Sequence, residues 1–162
     1  MILLGLGANL PSHAGAPAAT LHAALRELAR NGITPVATSS FYVSPAWPDP
    51  LDPPFVNAVT RVQADQGPAE LLAVLHAVEA RFGRVRSVRN APRTLDLDLL
   101  DYNGYIQPGP PELPHPRMTD RAFVLVPLAE VAPEWRHPQL GLHAAALLAR
   151  LPPEARHIET LP

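Results

Sequence analysis

Residues 84–102 carry the pattern from which the predicted fold is built, and they read RVRSVRNAPRTLDLDLLDY. Leucine and aspartate alternate strictly from Leu95 to Leu99, and a period of two is typical of a β-strand with one apolar and one polar face. The strand is predicted to run to Tyr102, with Asp96 and Asp98 on its polar face and the leucines in a core. The two carboxylates are therefore expected to lie close together.

These paired aspartates and the arginines upstream of them predict a metal and phosphate site. Two adjacent carboxylates repel each other unless a cation lies between them. Mg²⁺ suits this position, because it is typically bound by one or two carboxylates while substrate phosphates complete its coordination. Arginine binds phosphate oxygens in a bidentate manner, and four arginines precede the strand: Arg84, Arg86, Arg89 and Arg93. The combination indicates phosphoryl-type transfer.

Each motif alone has a less specific explanation. A D-x-D pattern on a strand is often a solvated face, and a run of arginines is often a general anion-binding surface. Their adjacency favours a phosphate and metal site over either of these alternatives.

Composition excludes several classes of site. The 162 residues suit a single domain, here predicted to span 1–162. The absence of cysteine excludes disulfides, thiolate zinc sites and a cysteine nucleophile. All 13 basic residues are arginine, so a P-loop lysine and a Schiff-base lysine are also excluded. A net charge of −2 provides no overall attraction to nucleic acid or to an anionic membrane.

The apolar N-terminal residues superficially resemble a signal peptide. They lack a basic segment, and Gly5, Gly7, Asn9 and Pro11 interrupt the apolar run. No stretch approaches the 18 apolar residues that a membrane span needs. We therefore expect a soluble, cytoplasmic protein.

The other elements are predicted from periodicity and from turn residues. Further strands are predicted at 2–6, 36–43 and 55–62, helices at 18–30, 68–82, 122–131 and 141–151, proline-rich loops at 45–54 and 108–116, and a hairpin-type turn at 103–104. The order β-α-β-β-α-β predicts an α+β sandwich of the ferredoxin-like kind, with a mainly antiparallel sheet and additional C-terminal helices.

Three smaller motifs are less specific. Gly5-Leu6-Gly7 does not continue as G-x-G-x-x-G, and its glycines are interpreted as tight-turn residues. The histidines show no metal-binding spacing, although His115, between two prolines, has a setting rigid enough for a ligand contact. Trp47 and Phe55, on either side of the proline-rich loop, form either one wall of an apolar slot or a cap on the core.

Together these residues resemble a known family. Gly83-Arg-Val-Arg86, Arg93-Thr-Leu-Asp-Leu-Asp98 and Pro114-His115 resemble the signature of the 6-hydroxymethyl-7,8-dihydropterin pyrophosphokinases of folate biosynthesis. The resemblance runs through nearly the whole chain and extends to Gly7-Ala-Asn-Leu10, Ser39-Ser-Phe-Tyr42, Ser44-Pro45, Phe55-Val-Asn57, Glu79, Met118, Arg121, Phe123 and the segment 126–133.

The resemblance implies an activity and a set of site residues. The activity is Mg²⁺-dependent transfer of the pyrophosphoryl group of ATP to the pterin hydroxymethyl group, with release of AMP. Two Mg²⁺ ions would be held by Asp96 and Asp98, and the catalytic arginines would be Arg84 and Arg93. The implied pterin-binding residues are Ser44, Pro45, Trp47, Phe55, Asn57 and Phe123, and the implied ATP-binding residues are Glu79, Arg86, His115 and Arg121. We expect a monomer without nucleic-acid or membrane partners.

The sequence departs from the family pattern at three places. Asn90 stands where family members often carry a tryptophan, and Phe55 stands where tyrosine is also frequent. The loop 108–112 lacks the arginine that some members place before the Pro-His pair. The last departure removes one side chain that the family pattern associates with nucleotide binding.

Two other functions are open from the residues alone. A different metal-dependent nucleotidyl or phosphoryl transferase would release pyrophosphate or ADP in place of AMP. A regulatory module that binds a small molecule would turn over no ATP, and its ligand binding would not depend on Asp96. Fold analogy does not separate these alternatives, because one fold hosts many functions.

Overall fold

The computed structural model describes residues 1–85 and 92–162. Its strands are β1 (Ile2–Ala8), β2 (Thr34–Thr38), β3 (Tyr42–Ser44), β4 (Phe55–Gln63), β5 (Asp96–Tyr102) and β6 (Glu159–Thr160). Its helices are α1 (Pro17–Arg30), α2 (Pro68–Arg81), α3 (Ala122–Val131) and α4 (Ala144–Ala149), with short 3₁₀ turns at Met118–Asp120 and Pro153–Ala155.

The strands form one antiparallel sheet. Its order is β5-β1-β4-β3-β6, and β2 also pairs with β4. The long strands β1 and β4 lie next to each other in the middle, which places β5 beside β1. The predicted α+β fold, with an antiparallel sheet and additional C-terminal helices, is confirmed.

Each face of the sheet has its own apolar core. On one face, α1 and α2 pack against side chains that include Leu95, Leu97 and Leu99, which confirms the predicted apolar face of β5. On the other face, α3 and α4 pack against Leu3, Val59 and Leu100. The second face is the one toward which the aspartates of β5 point, because they alternate with the three buried leucines.

A β-bulge ends the alternation on β5. Leu4 pairs with Leu99 and Leu3 pairs with Asp101, so Leu100 is the extra residue. Beyond the bulge, the buried carboxylate of Asp101 accepts a hydrogen bond of 2.6 Å from the indole of Trp135. Asp96 and Asp98, upstream of the bulge, lie on a part of the sheet that α3 and α4 do not cover. Asp101, beyond the bulge, holds the segment after α3 against the sheet through Trp135.

Three predicted elements differ from those observed. The predicted strand 36–43 is two strands, β2 and β3, because Ser39 is buried between them and its hydroxyl accepts the amide hydrogen of Val59 at 3.0 Å. The predicted helix 141–151 contains the shorter α4, and β6 was not predicted. The turn at Asn103 and Gly104 is present, with φ angles of 52° and 73°, but the chain after it forms no named strand before α3.

Within the part of the chain that the structure describes, no helix is both long enough and apolar enough to cross a membrane.

Candidate active site

A cavity of about 530 Å³ opens on the sheet face opposite α1 and α2. Its floor comes from β1, β4 and β5, and its walls come from the loop after β3 and from the chain that enters α3. The lining residues are Gly5, Leu6, Gly7, Ser44, Pro45, Trp47, Phe55, Asn57, Ala58, Arg93, Asp96, Asp98, Arg117, Asp120, Arg121, Phe123 and Val124. Both predicted metal ligands and all six predicted pterin-binding residues are among them.

Asp96 is held by two guanidinium groups. Its Oδ1 lies 3.0 Å from Nη1 of Arg84, and its Oδ2 lies 2.8 Å from Nη1 of Arg93. Each carboxylate oxygen therefore accepts a charge-assisted hydrogen bond, and the side chain remains one-fifth exposed toward the cavity. This arrangement fixes the direction in which the carboxylate points.

Asp98 lies in a different electrostatic setting. Within residues 1–85 and 92–162 its carboxylate makes no hydrogen bond and no ion pair, although it lines the cavity beside Asp96. Burial and the negative charge of Asp96 raise the pKa of Asp98 to about 7, although Arg121 opposes the shift. A carboxylate in this setting has a strong electrostatic preference for an added cation.

Arg84 and Glu79 form a buried ion pair behind Asp96. Nη1 of Arg84 lies 3.0 Å from Oε2 of Glu79, and the two side chains are 10% and 1% exposed. The same Nη1 donates to the carbonyl of Leu95 at 2.9 Å, and Glu79 accepts the amide hydrogen of Leu97 at 3.3 Å. Neither Arg84 nor Glu79 lines the cavity, whereas the family resemblance implied a nucleotide contact for Glu79. The carboxylate of Glu79 is directed at Arg84 and at β5.

Asn9 connects the arginine segment to the proline-rich loop. Its Oδ1 accepts the amide hydrogen of Arg93 at 2.7 Å, and its Nδ2 donates to the carbonyl of Pro53 at 3.0 Å. The amides of Asn9 and Leu10 both donate to the carbonyl of Arg93 at 3.0 Å. Sequence analysis did not assign this role; the available signal was an asparagine placed directly after a strand.

Gly5 and Gly7 are not tight-turn residues, so that interpretation is wrong. Both lie inside β1 and line the cavity floor. A Cβ atom at Gly7 would lie 3.3 Å from Oδ1 of Asn57 and 3.8 Å from Phe55. The alternation of leucine and glycine from Leu4 to Gly7 was the available signal for a strand with small residues on one face.

Aromatic and amide side chains form the other side of the cavity. Phe55, Trp47 and Phe123 line it, and Trp47 is 69% exposed. The buried amide of Asn57 donates to the hydroxyl of Ser44 at 2.7 Å, which orients its carbonyl oxygen toward Gly7. The prediction that Trp47 and Phe55 wall an apolar slot is the alternative that agrees with this cavity.

The remaining cationic groups surround the entrance to α3. The guanidinium of Arg121 lies 5.5 Å from the ring centre of Phe123. Burial lowers the pKa of Arg121, and Asp98 partly offsets this. Arg117 and Asp120 also line the cavity and were not predicted as site residues.

His115 lies beside this cavity and lines a neighbouring one of about 550 Å³. Burial and the charge of Arg121 lower the pKa of His115 to about 4, so the ring is neutral at pH 7. Its Nδ1 accepts the amide hydrogen of Arg117 at 3.1 Å. The ring proton must then be on Nε2, which leaves Nε2 as a hydrogen-bond donor.

Three predicted or discussed positions, Arg86, Arg89 and Asn90, lie outside the described residues.

The donor set of the cavity suits Mg²⁺ bound together with a substrate. Among the described residues no group of three or more His, Cys, Asp or Glu side chains is arranged to hold a metal ion. Asp96 and Asp98 therefore offer two carboxylates and leave other coordination positions to phosphate oxygens and water, as is usual for Mg²⁺ at phosphoryl-transfer sites.

Without metal, we expect Asp98 to make the protein less stable as the pH rises from about 4 to about 7. Burial raises the pKa of Asp98 in the folded state from 3.8 to about 7. Between these values the folded state binds more protons than the unfolded state, so raising the pH favours unfolding. Urea unfolding in the presence of EDTA measures this change, and Asp98→Asn provides the matched control. Parallel pH profiles for the two proteins would contradict the prediction.

The chain is similar to one family of enzymes. A family model described as 7,8-dihydro-6-hydroxymethylpterin-pyrophosphokinase (HPPK) matches residues 3–133. A 2-amino-4-hydroxy-6-hydroxymethyldihydropteridine pyrophosphokinase from Pseudomonas aeruginosa is 41% identical over 167 residues, which cover 99% of this chain and 96% of the relative. A protein of the same name from Synechocystis sp. is 41% identical over 141 residues, which cover 86% of this chain and 70% of the relative.

Solved structures share the fold. A Plasmodium falciparum protein described as HPPK-DHPS superimposes with a TM-score of 0.65 over 90% of this chain, at 14% sequence identity. This chain covers 43% of that longer protein. At such low identity the likeness supports the fold alone.

Proposed function

Because this chain belongs to the 7,8-dihydro-6-hydroxymethylpterin-pyrophosphokinase family, we propose how its own residues carry out the family reaction. The reaction is the transfer of pyrophosphate from ATP to the hydroxymethyl group of 6-hydroxymethyl-7,8-dihydropterin, in folate biosynthesis. The hydroxymethyl oxygen forms a bond to the β-phosphorus. The bond from the β-phosphorus to the oxygen shared with the α-phosphorus breaks, AMP leaves with the electron pair, and the hydroxyl proton is released.

Asp96 and Asp98 hold Mg²⁺ in this proposal, with two ions bound together with ATP. The carboxylate of Asp98, which forms no ion pair with residues 1–85 or 92–162, and its raised pKa support a cation at this position. Bound Mg²⁺ would neutralise phosphate charge and polarise the phosphoryl oxygens. Asp96, held by two arginines, supplies a carboxylate that is already oriented before the substrates arrive.

The two catalytic arginines have different parts in the proposal. Arg93 lines the cavity, is 25% exposed, and contacts the phosphate oxygens on which charge develops. Arg84 is buried between Glu79 and Asp96, and it places positive charge behind the carboxylate. Glu79 then acts on the nucleotide site through Arg84 and makes no contact with ATP.

The pterin ring binds between Phe55 and Phe123, at the apolar side of the cavity. Aromatic pairs of this kind contribute about 0.5–1.5 kcal/mol each beyond burial. The oriented amide of Asn57 hydrogen-bonds the polar edge of the pterin, while Ser44, Pro45 and Trp47 complete the wall. Because Ser44 uses its hydroxyl to orient Asn57, its contribution to pterin binding is partly indirect.

ATP binds on the side of Arg121 and His115, with Arg86 as a further contact. Arg121 faces the triphosphate from beside Asp98, and the protonated Nε2 of neutral His115 donates a hydrogen bond. We also propose that the chain acts in the cytoplasm as a monomer and that residues 1–162 fold as one domain.

One observation carries this proposal: a single cavity is lined by Asp96, Asp98 and Arg93 together with the aromatic side chains. The test incubates the protein with ATP, Mg²⁺ and 6-hydroxymethyl-7,8-dihydropterin and measures AMP by chromatography. We expect AMP only when the pterin is present, and we expect EDTA to abolish it. ADP or pyrophosphate as the product would favour another transferase, and the absence of turnover would favour a regulatory module.

Adding a methyl group to the cavity floor is expected to weaken pterin binding. The Cβ of Gly7→Ala would contact Asn57 and Phe55, and overpacking of about 1–3 kcal/mol corresponds to an affinity lowered by about 5- to 150-fold. Titration calorimetry with the pterin measures the change. Gly67→Ala is the control, because its Cβ would meet no atom within 4 Å. Equal pterin affinities for both variants would contradict the prediction.

A further inference from the structure

We propose that Arg117 is a further phosphate-binding residue of this cavity and contacts oxygens of the ATP triphosphate. The family signature quoted from the sequence does not assign it a role. The inference rests on the proposed function, since it identifies an additional contact for the same nucleotide.

Arg117 is positioned by its backbone while its side chain is free to meet a ligand. Its amide donates to Nδ1 of His115 at 3.1 Å, and its carbonyl accepts the amide hydrogen of Asp120 at 3.2 Å. The residue lines the cavity at the base of the 3₁₀ turn Met118–Asp120, and it is exposed. The backbone is therefore anchored directly beside a proposed ATP-binding residue.

The guanidinium of Arg117 has no anionic partner in the part of the chain that the structure describes. Asp120 lies three residues away, yet the two side chains form no ion pair. Arg93, by contrast, is paired with Asp96 at 2.8 Å. Arg117 therefore has its hydrogen-bonding capacity available for a ligand.

Like charges converge on this side of the cavity. Arg93, Arg117 and Arg121 all line it. The amide of Arg117 donates to the ring of His115 at 3.1 Å, and the charge of Arg117 contributes to the lowered pKa values of both Arg121 and His115. Cations that repel one another in the free protein are stabilised when a polyanion binds between them.

The triphosphate is the substrate group that fits this setting. The pterin side of the cavity is aromatic and lies at Phe55 and Phe123. Arg117 is instead next to His115 and Arg121, on the nucleotide side. A planar guanidinium matches phosphate oxygens in a bidentate geometry that a lysine ammonium cannot reproduce.

The test compares Arg117→Gln and Arg117→Lys with the control Arg26→Gln. Arg26 is exposed on α1, in the helical layer on the other side of the sheet, so its removal changes the net charge equally without touching the cavity. Three quantities are measured for each protein: the affinity for ATP with Mg²⁺ by calorimetry, and kcat and KM in the AMP assay.

We expect Arg117→Gln to weaken ATP affinity on the order of 10-fold, because the variant loses charge-assisted hydrogen bonds to the triphosphate. Arg117→Lys should retain part of the affinity, and Arg26→Gln should be unchanged. Equal losses for Arg117→Gln and Arg26→Gln would indicate general electrostatic attraction and overturn the inference, and unchanged affinity for Arg117→Gln would overturn it as well. Wild-type AMP formation tests the proposed function separately, and calorimetry decides the role of Arg117 even if no AMP forms.

Discussion

Replacing Asp98 by asparagine is expected to lower the rate of AMP formation by roughly 10³-fold, since a bound metal supplies several kcal/mol of transition-state stabilisation. Asparagine has nearly the same shape as aspartate but lacks the charge that would attract Mg²⁺. Asp98 makes no ion pair with the described residues, so its charge is not needed to hold the fold together. We expect the variant to unfold at a denaturant concentration equal to or above that of the wild type at pH 7 in EDTA.

The rate measurement requires a matched control and a binding measurement. Asp65→Asn removes a carboxylate from the exposed loop before α2, and we expect it to leave turnover unchanged. Calorimetry with Mg²⁺ and ATP should show weaker metal-dependent binding for Asp98→Asn alone. A fully active, folded Asp98→Asn protein would exclude Asp98 as a metal ligand in the reaction.

Replacing Arg84 by methionine is expected to destabilise the protein by about 3–5 kcal/mol, the usual effect of removing one member of a buried ion pair. The reason is that a guanidinium only 10% exposed would be removed, with its contacts at 3.0 Å to Glu79 and to Asp96 and at 2.9 Å to the carbonyl of Leu95. Urea unfolding at pH 7 measures the loss. Arg81→Met is the surface control, because its guanidinium is 53% exposed and such pairs contribute about 0–1 kcal/mol.

The double variant separates the structural role of Arg84 from its role in catalysis. Adding Glu79→Gln to Arg84→Met removes the buried negative charge that Arg84 offset and should recover part of the lost stability, because the amide oxygen still accepts the Leu97 amide hydrogen. AMP formation should remain low, since the positive charge behind Asp96 is still missing. Recovery of activity together with stability would show that Arg84 acts through the fold alone.

Local sequence patterns were sufficient to predict the strand that carries the paired aspartates and three of the helices. The alternation over residues 95–99 predicted which side chains enter the core, and Leu95, Leu97 and Leu99 are buried while Asp96 and Asp98 line the cavity. This works because the direction of a side chain on a strand depends on the position of the residue in that strand and on little else. The bounds of the helices α1, α2 and α3 were predicted to within two residues, because the spacing of apolar residues along a helix also follows a local period.

The contacts between side chains of the site depend on the pairing of strands that are distant in the sequence. Local periodicity does not predict this pairing. Asn9 and Arg93 are 84 residues apart and meet because β1 and β5 are adjacent in the sheet. Gly7 must lack a side chain because the β1–β4 register sets it opposite Asn57. Glu79 faces inward to Arg84, and Arg117 reaches the cavity from a loop far along the chain. Sequence periodicity thus determined the faces on which side chains lie, while strand order and register determined which charges and rings meet, because those contacts depend on distances through space.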